Sequence, residues 1–131
     1  MIKNTLLLIS LLMSISNSFA DNQAALDYCA KVDSWPASRA ISEEIKANPQ
    51  LDESHATTQL LSRKPVIENG KHVNAGAWGP VYIQIIKISI PYKKPKSKYN
   101  IELLASSFIS AEECSLSEPS HINITQLTEI H

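Results

Sequence analysis

Four lysines and two tyrosines are concentrated in the stretch PYKKPKSKY, residues 91–99, which we call the lysine tip. Its charged and aromatic members are Lys93, Lys94, Lys96, Lys98, Tyr92 and Tyr99. Pro91 and Pro95 restrict the backbone within the tip, because the proline ring fixes φ. A stiff, cationic loop with aromatic flanks is suited to bind an acidic protein groove, a polyanion or an anionic membrane surface.

The lysine tip also has a second interpretation, which concerns aggregation rather than binding. The run that precedes it, VYIQIIKISI, is β-prone and carries Lys87 as its one charge. Lysines and prolines beside such a run keep unfolded chains from associating through exposed strands. The sequence therefore leaves two roles open for the tip, partner binding and protection against aggregation.

The two tryptophans, Trp35 and Trp78, lie at breaks in the apolar pattern, each close to a proline. One interpretation is that each ring covers an end of the core. The other is an exposed anchor in an interface, where tryptophan often dominates the binding energy. Trp78 lies in a glycine-containing turn before a long apolar run and is the better candidate. We therefore add it to the lysine tip as a predicted binding residue.

We predict no metal site from the four histidines, which are His55, His72, His121 and His131. Their spacing matches none of H-x-H, H-x-x-x-H or H-E-x-x-H. A metal site would therefore require side chains from distant segments to converge. Solvated or singly hydrogen-bonded histidines are the simpler expectation.

Catalytic motifs are missing from the sequence as well. Neither G-x-S-x-G nor S-x-x-K occurs, and the three glycines form no phosphate-binding or dinucleotide fingerprint. The acidic pairs Glu43-Glu44 and Glu112-Glu113 are adjacent, so on a helix their side chains point about 100° apart and predict a solvated surface. We therefore predict no catalytic residue and no cofactor. A hydrolase would require a histidine to meet a carboxylate or a serine in a cleft.

The first twenty residues have the pattern of a secretory signal peptide. Lys3 precedes an apolar core from Thr5 to Ile15, and the segment ends with small residues at Ser18 and Ala20. This core has about 11 residues, fewer than the roughly 20 that a membrane-spanning helix needs. We therefore predict cleavage after Ala20, a periplasmic or secreted protein, and no transmembrane segment.

Residues 21–131 are then predicted to form one small domain, since their number is sufficient for one domain and hardly for two. The whole chain has a formal net charge of −1. A balance of this kind gives no general attraction to nucleic acid, so any positive patch is local. We predict a protein partner, with an acidic surface if the lysine tip is the contact.

Two cysteines, Cys29 and Cys114, belong to this exported part of the chain. An even number of cysteines in an oxidising compartment predicts a disulfide. There is no C-x-x-C motif, and no histidine lies at ligand spacing from either cysteine. We therefore predict a structural Cys29–Cys114 bond, which the chain-entropy model values at roughly 4 to 5 kcal/mol.

Two helices are predicted before the sheet. The first is capped by Asp21 and extends to about Val32, with Leu26, Cys29 and Val32 on its buried stripe. The second begins near Pro36 and ends at Asn48-Pro49. Its apolar stripe consists of Ala37, Ala40, Ile41 and Ile45.

Strands follow from about residue 56. Asn69-Gly70 predicts a two-residue hairpin with Glu68 opposite Lys71 and Ile67 opposite His72. Long strands are predicted at 81–90 and 101–109, with Ile101, Leu103, Ala105 and Ile109 on one face of the second. A final edge strand is predicted to contain Ile122, Ile124 and Leu127.

The apolar positions of strand 81–90 change from odd to even numbers at Ile85 and Ile86. This pattern predicts either a β-bulge or strong bend near these two residues, or a strand that is covered on both faces there. The order of elements predicts an α+β fold, with one or two N-terminal helices packed on an antiparallel sheet of about four to five strands.

The function predicted from the sequence is that of a small exported binding module. It would recognise or inhibit another protein, such as a secreted or envelope hydrolase or a toxin. The alternative is a carrier of a lipid or small apolar ligand, for which a deep apolar cavity would be the mark. A hydrolase without a recognisable motif is the third possibility.

Overall fold

The helices α1 and α2 precede an antiparallel sheet in a computed structural model that describes residues 22–94 and 99–128. The elements are α1 (residues 22–28), α2 (Trp35–Ala47), β1 (Thr57–Pro65), β2 (Ile67–Glu68), β3 (Lys71–His72), β4 (Tyr82–Ile90), β5 (Ile101–Ile109), β6 (Ser120–Asn123) and α3 (Thr125–Thr128). The main sheet has the order β1-β4-β5-β6, and β2 pairs with β3 in a separate hairpin. The predicted α+β class is confirmed.

Helix α1 ends four residues earlier than predicted. From Cys29 the backbone bonds change to the tighter i to i−3 type, with Cys29 N donating to Leu26 O and Lys31 N donating to Tyr28 O. The Ser34 hydroxyl then donates to Cys29 O at 2.9 Å. Because the chain turns here, Cys29 is buried as predicted, whereas Val32 is exposed instead of continuing the buried stripe.

Helix α2 confirms the predicted pattern. Pro36 lies in its first turn, where the missing N–H is not needed. Its buried stripe contains Ala37, Ala40 and Ile41, and Ile45 packs against the same core. The small alanines allow the helix to lie close to the sheet.

The core lies between α2 and one face of the sheet. Ile86, Ile88 and Ile90 of β4 and Leu103 of β5 are fully buried there. The predicted inward face of the return strand is confirmed, since Ala105 and Ile109 are buried on it and Ile101 packs at its margin. The predicted hairpin is confirmed in register, and Asn69 and Gly70 both have positive φ.

Strand β4 pairs with β5 without a break from Tyr82 to Ile90. The bulge predicted near Ile85 and Ile86 is therefore not in this strand, but in the strand paired with it at these two residues. The alternative was that both faces are covered at this point, and here Ile86 is buried and Ile85 is half-buried, whereas Ile83 is 39% exposed. Even-numbered positions face the core, including one occupied by a glutamine, and odd-numbered positions face outward.

A register shift does occur opposite Ile85 and Ile86, but the extra residue is in the neighbouring strand β1. Leu61 is an extra residue between Leu60 and Ser62. An extra residue reverses the alternation of side chains beyond it. Arg63 therefore faces the core side of the sheet, whereas Lys64 is exposed.

The predicted disulfide is present and joins Cys29 to Cys114 with their Cα atoms 5.3 Å apart. It connects the turn after α1 to the loop after β5. Leu26, Cys29 and Ile109 form a second buried cluster beside this bond. Cys29 and Cys114 therefore anchor the end of the sheet where β5 finishes.

The last predicted strand needs a correction. β6 ends at Asn123, and Leu127 belongs to the short helix α3 instead. Asn123 Oδ1 accepts hydrogen bonds from the backbone N and the hydroxyl of Thr125, which turns the chain out of the strand. Ile122 remains in β6 with 62% of its surface exposed.

Candidate binding surfaces

The lysine tip connects β4 to β5, and its base is tied to the segment that follows α2. Asp52 N donates to Pro91 O at 2.7 Å, and Lys93 N donates to Gln50 O at 2.9 Å. Tyr92 forms an isolated bridge with Leu51 and packs against the core. The described base of the tip, residues 91–94, is therefore held in position by the segment after α2.

The predicted binding residues of the tip have different environments. Lys93 and Lys94 are exposed, and Tyr99 is the most exposed large side chain among them. Tyr92 is partly buried, and its hydroxyl accepts a hydrogen bond from Asn48 Nδ2 at 3.4 Å, so it supports the tip. The two other lysines, Lys96 and Lys98, lie outside the described residues.

Trp78 lies far from the lysine tip. It ends a one-turn 3-10 helix, Gly76–Trp78, immediately before β4, and it is 49% exposed. The tip follows the other end of β4, and a nine-residue strand spans roughly 27 Å. The structure therefore places Trp78 and the two described tip lysines, Lys93 and Lys94, at opposite ends of the sheet rather than in one surface.

The outward side of the sheet forms a third surface, which we call the open face. It carries Ile83, Ile85, Leu104, Phe108 and Ile122. Ile83 and Phe108 are direct cross-strand neighbours with exposed fractions of 39% and 42%, and Ile122 is paired with Leu104. Helices α1 and α2 pack on the opposite side, so these apolar side chains are left in contact with solvent.

A fourth surface feature is a cleft of about 420 Å³ beside the disulfide, which we call the disulfide cleft. Its lining residues are Ala25, Tyr28, Trp35, Ala111, Glu112, Glu113 and Cys114. Tyr28 is the last residue of α1, and Trp35 is the first residue of α2. The two carboxylates follow β5, so the cleft is built from segments that are far apart in sequence.

A buried polar network holds α1 against the sheet next to this cleft. Arg63 donates from Nη2 to Leu26 O at 2.7 Å and to Gln84 Oε1 at 3.1 Å. Gln84 in turn donates from Nε2 to Cys29 O at 2.9 Å. Arg63 Nη1 also donates to Asp27 Oδ1, and this hydrogen bond holds the pKa of Asp27 below its usual value. The network joins the last residues of α1 and Cys29, the first residue after the helix, to the sheet.

His55 lies in a local cluster that has the residue types of a catalytic triad but not its geometry. Both Ser54 Oγ and Asp52 Oδ2 lie near the same ring nitrogen, Nδ1, at 3.1 and 2.6 Å. A relay would require the serine and the acid on different nitrogens. Asp52 caps the 3-10 turn at Ser54 N, and its hydrogen bond from Ser54 lowers the pKa of Asp52.

His121 is the histidine that meets carboxylates from another element. Its Nε2 lies 3.1 Å from Glu44 Oε1, and its Nδ1 lies 3.6 Å from Glu43 Oε2. The acidic pair at 43 and 44 thus ties α2 to β6 instead of being only solvated. Within residues 22–94 and 99–128, no group of three histidine, cysteine, aspartate or glutamate side chains is arranged to hold a metal ion.

His72 has a local role, and His131 lies outside the described residues. The His72 ring approaches Tyr82 edge to face with centroids 5.0 Å apart, and its Nε2 lies 2.8 Å from Val81 O. These contacts connect the β2–β3 hairpin to the start of β4. His72 therefore stabilises the hairpin position.

Comparison with known proteins does not assign the chain. Protein-family models, curated proteins and solved structures gave no match. In the part of the chain that the structure describes, no helix is both long and apolar enough to cross a bilayer.

Sequence reasoning missed two of these surfaces. The open face was obscured because strand 81–90 is apolar at both odd and even positions. The disulfide cleft had a usable signal: the predicted Cys29–Cys114 bond brings Tyr28 and Glu113, the residues just before the two cysteines, into one region. The adjacent positions of Glu112 and Glu113 predict only a solvated pair and do not reveal the cleft.

Proposed function

We propose that this protein is an exported binding module that recognises another protein through the open face of its sheet. The observation that supports this proposal is the apolar pair Ile83 and Phe108, exposed side by side on neighbouring strands. Contiguous apolar side chains on a protein surface are a mark of interaction sites. The cross-strand pair Leu104 and Ile122 extends the same surface towards the sheet edge.

The charges around the open face define the chemistry of the partner. Lys87 lies on this face, and Lys93 and Lys94 project beyond the end of β4. One acid, Glu102, lies near them and accepts a hydrogen bond from Ser89. We therefore expect a partner with an apolar patch bordered on one side by acidic side chains, as on a secreted or envelope hydrolase or a toxin. The lysines would act mainly on the association rate.

The core supports this proposal over the carrier alternative. Ile86, Ile88, Ile90 and Leu103 are fully buried between α2 and the sheet. A carrier needs an apolar cavity large enough to enclose its ligand. The disulfide cleft instead opens to the surface and contains two carboxylates.

Affinity capture with matched variants tests the proposal. The exported protein, expressed from the full sequence, would be immobilised as wild type, as Ile83→Ser with Phe108→Ser, and as Ile67→Ser. Ile67 is an exposed apolar residue of the β2–β3 hairpin, which is separate from the sheet that forms the open face, so its variant is the control. Envelope and culture extracts would be passed over each column, and the retained proteins identified by mass spectrometry.

The expected result is a protein retained by wild type and by the Ile67 variant but lost from the double variant. Circular dichroism and thermal unfolding would establish that the double variant is folded. Equal retention on all three columns, or no protein retained by wild type, would contradict the proposal.

A further inference from the structure

The disulfide cleft combines two aromatic side chains with a concave surface. Tyr28 is 46% exposed and Trp35 is 40% exposed, and both side chains line the cleft beside Cys114. Their positions at the end of α1 and the start of α2 place them on either side of the turn that contains Cys29. The volume of about 420 Å³ greatly exceeds the share of one water molecule in the liquid, about 30 Å³.

The charges of the cleft have one sign. Its described lining contains Glu112 and Glu113 and no basic side chain. Glu113 Oε1 accepts hydrogen bonds from Ser115 N and Ser115 Oγ, which lower the pKa of Glu113 and favour its charged form. Glu112 is exposed, and no hydrogen bond or ion pair joins its side chain to another described residue. Its carboxylate is thus available to a ligand.

Covalent and hydrogen-bonded links hold the walls of the cleft together. The disulfide joins the Tyr28 side to the Glu113 side. Ser110 N donates to Glu113 O at 2.8 Å, and Glu113 N donates to Ser110 Oγ at 3.1 Å. These reciprocal bonds close the loop that carries the carboxylates. A site held in this way loses little conformational freedom when a ligand binds.

We propose that the disulfide cleft binds an organic cation, with the rings of Tyr28 and Trp35 contacting the cationic group and Glu112 providing the countercharge. Aromatic rings attract ammonium and guanidinium groups through their electron-rich faces. The cation would be either a free quaternary ammonium compound or a guanidinium group such as that of an arginine side chain. This inference concerns a different surface from the open face and does not rest on the proposed protein recognition.

Trp35 provides a direct reporter for binding. The chain has two tryptophans, so in the Trp78→Phe variant all tryptophan emission comes from Trp35. Choline and Nα-acetylarginine amide would be titrated into the oxidised Trp78→Phe variant, expressed from the full sequence. The titrations are done at low ionic strength, where electrostatic screening is weak. Their uncharged counterparts, 3,3-dimethylbutan-1-ol and Nα-acetylcitrulline amide, have similar shapes and serve as ligand controls.

The expected result is a saturable change in Trp35 emission with at least one cation at millimolar concentration, and no such change with its uncharged counterpart. The cation that binds identifies the source, quaternary ammonium or guanidinium. In the same background, Glu112→Gln and Tyr28→Ala should each weaken binding at least about fivefold. Glu53→Gln, an exposed acid in the 3-10 turn at the other end of the sheet, should leave binding unchanged.

Three results would overturn the inference. The first is no saturable change with either cation. The second is equal binding of a cation and its uncharged counterpart, which would mean that the cleft recognises shape and not charge. The third is cation binding that neither Glu112→Gln nor Tyr28→Ala weakens, which would place the site elsewhere.

Discussion

The two ends of the sheet differ in how they are assembled and in the charge that they present. At one end the lysine tip is a continuous segment of the sequence, and its base is held by backbone hydrogen bonds to Gln50 and Asp52. At the other end the disulfide cleft combines Tyr28, Trp35 and Glu112 from three separate segments, and the charges of its described lining are all acidic. A continuous surface can be recognised in a sequence, whereas an assembled one depends on long-range contacts.

The largest expected effect concerns the disulfide, which supports the cleft end and not the tip end. Reduction should lower the melting temperature substantially, because the bond joins residues separated by 85 positions and contributes roughly 4 to 5 kcal/mol in the chain-entropy model. Thermal unfolding with and without reductant measures this effect. An unchanged melting curve together with two titratable thiols would contradict the role of the bond.

The next effect concerns the polar network behind the cleft. Gln84→Ala should lower the free energy of unfolding by about 2 to 4 kcal/mol, since Cys29 O and Arg63 lose a partner in a buried site. Gln59→Ala on β1 is the matched control, because Gln59 is exposed. Urea unfolding of both variants would measure the difference, and equal losses would show that the network does not stabilise the cleft end.

A smaller effect is expected from Asp27, because this residue is largely exposed. Its pKa is lowered from the usual 3.8 by the hydrogen bond from Arg63. The stability that the ionised carboxylate contributes is therefore present above pH 4 and is lost as the pH falls through the lowered value. Melting temperatures of wild type and Asp27→Asn should differ above pH 4 and converge below it. A constant difference down to pH 2 would contradict this linkage.

The sequence could predict a structural feature when the residues that cause it are close together in the chain, and not when they are far apart. The Asn69-Gly70 turn and the start of α2 at Pro36 were predicted because their causes are local. The end of α1 was not, since it depends on the turn that directs Cys29 towards Cys114. The bulge at Leu61 was assigned to the wrong strand because β1 had no clear apolar period of its own.

The difference between local and long-range determinants also decides which parts of the candidate sites the sequence could predict. The lysine tip was visible as a run of charges, but the packing of Tyr92 against the core depends on the tertiary structure. The open face could not be separated from the core face in strand 81–90, because both alternating sets are rich in isoleucine. Only the structure shows that Gln84 and Arg63 are on the core side, which leaves Ile83 outward.

The smallest expected effect on stability concerns the tip lysines. Replacing Lys93, Lys94, Lys96 and Lys98 by alanine should change the free energy of unfolding by less than about 0.5 kcal/mol. Lys93 and Lys94 are exposed, and the alanine substitutions introduce no new buried group. Light scattering and partner association rates distinguish the two roles of the tip. Slower association of a soluble variant indicates binding, and aggregation with normal association indicates protection.

The most direct test of the account is the affinity of the captured partner for the open face. Calorimetry would compare wild type with Ile83→Ser and Phe108→Ser combined, using Ile67→Ser as the control. We predict that the double variant weakens binding by about a hundredfold, since two central apolar contacts are lost, and that the control binds normally. An unchanged affinity of the folded double variant would contradict the proposal that this face recognises a protein.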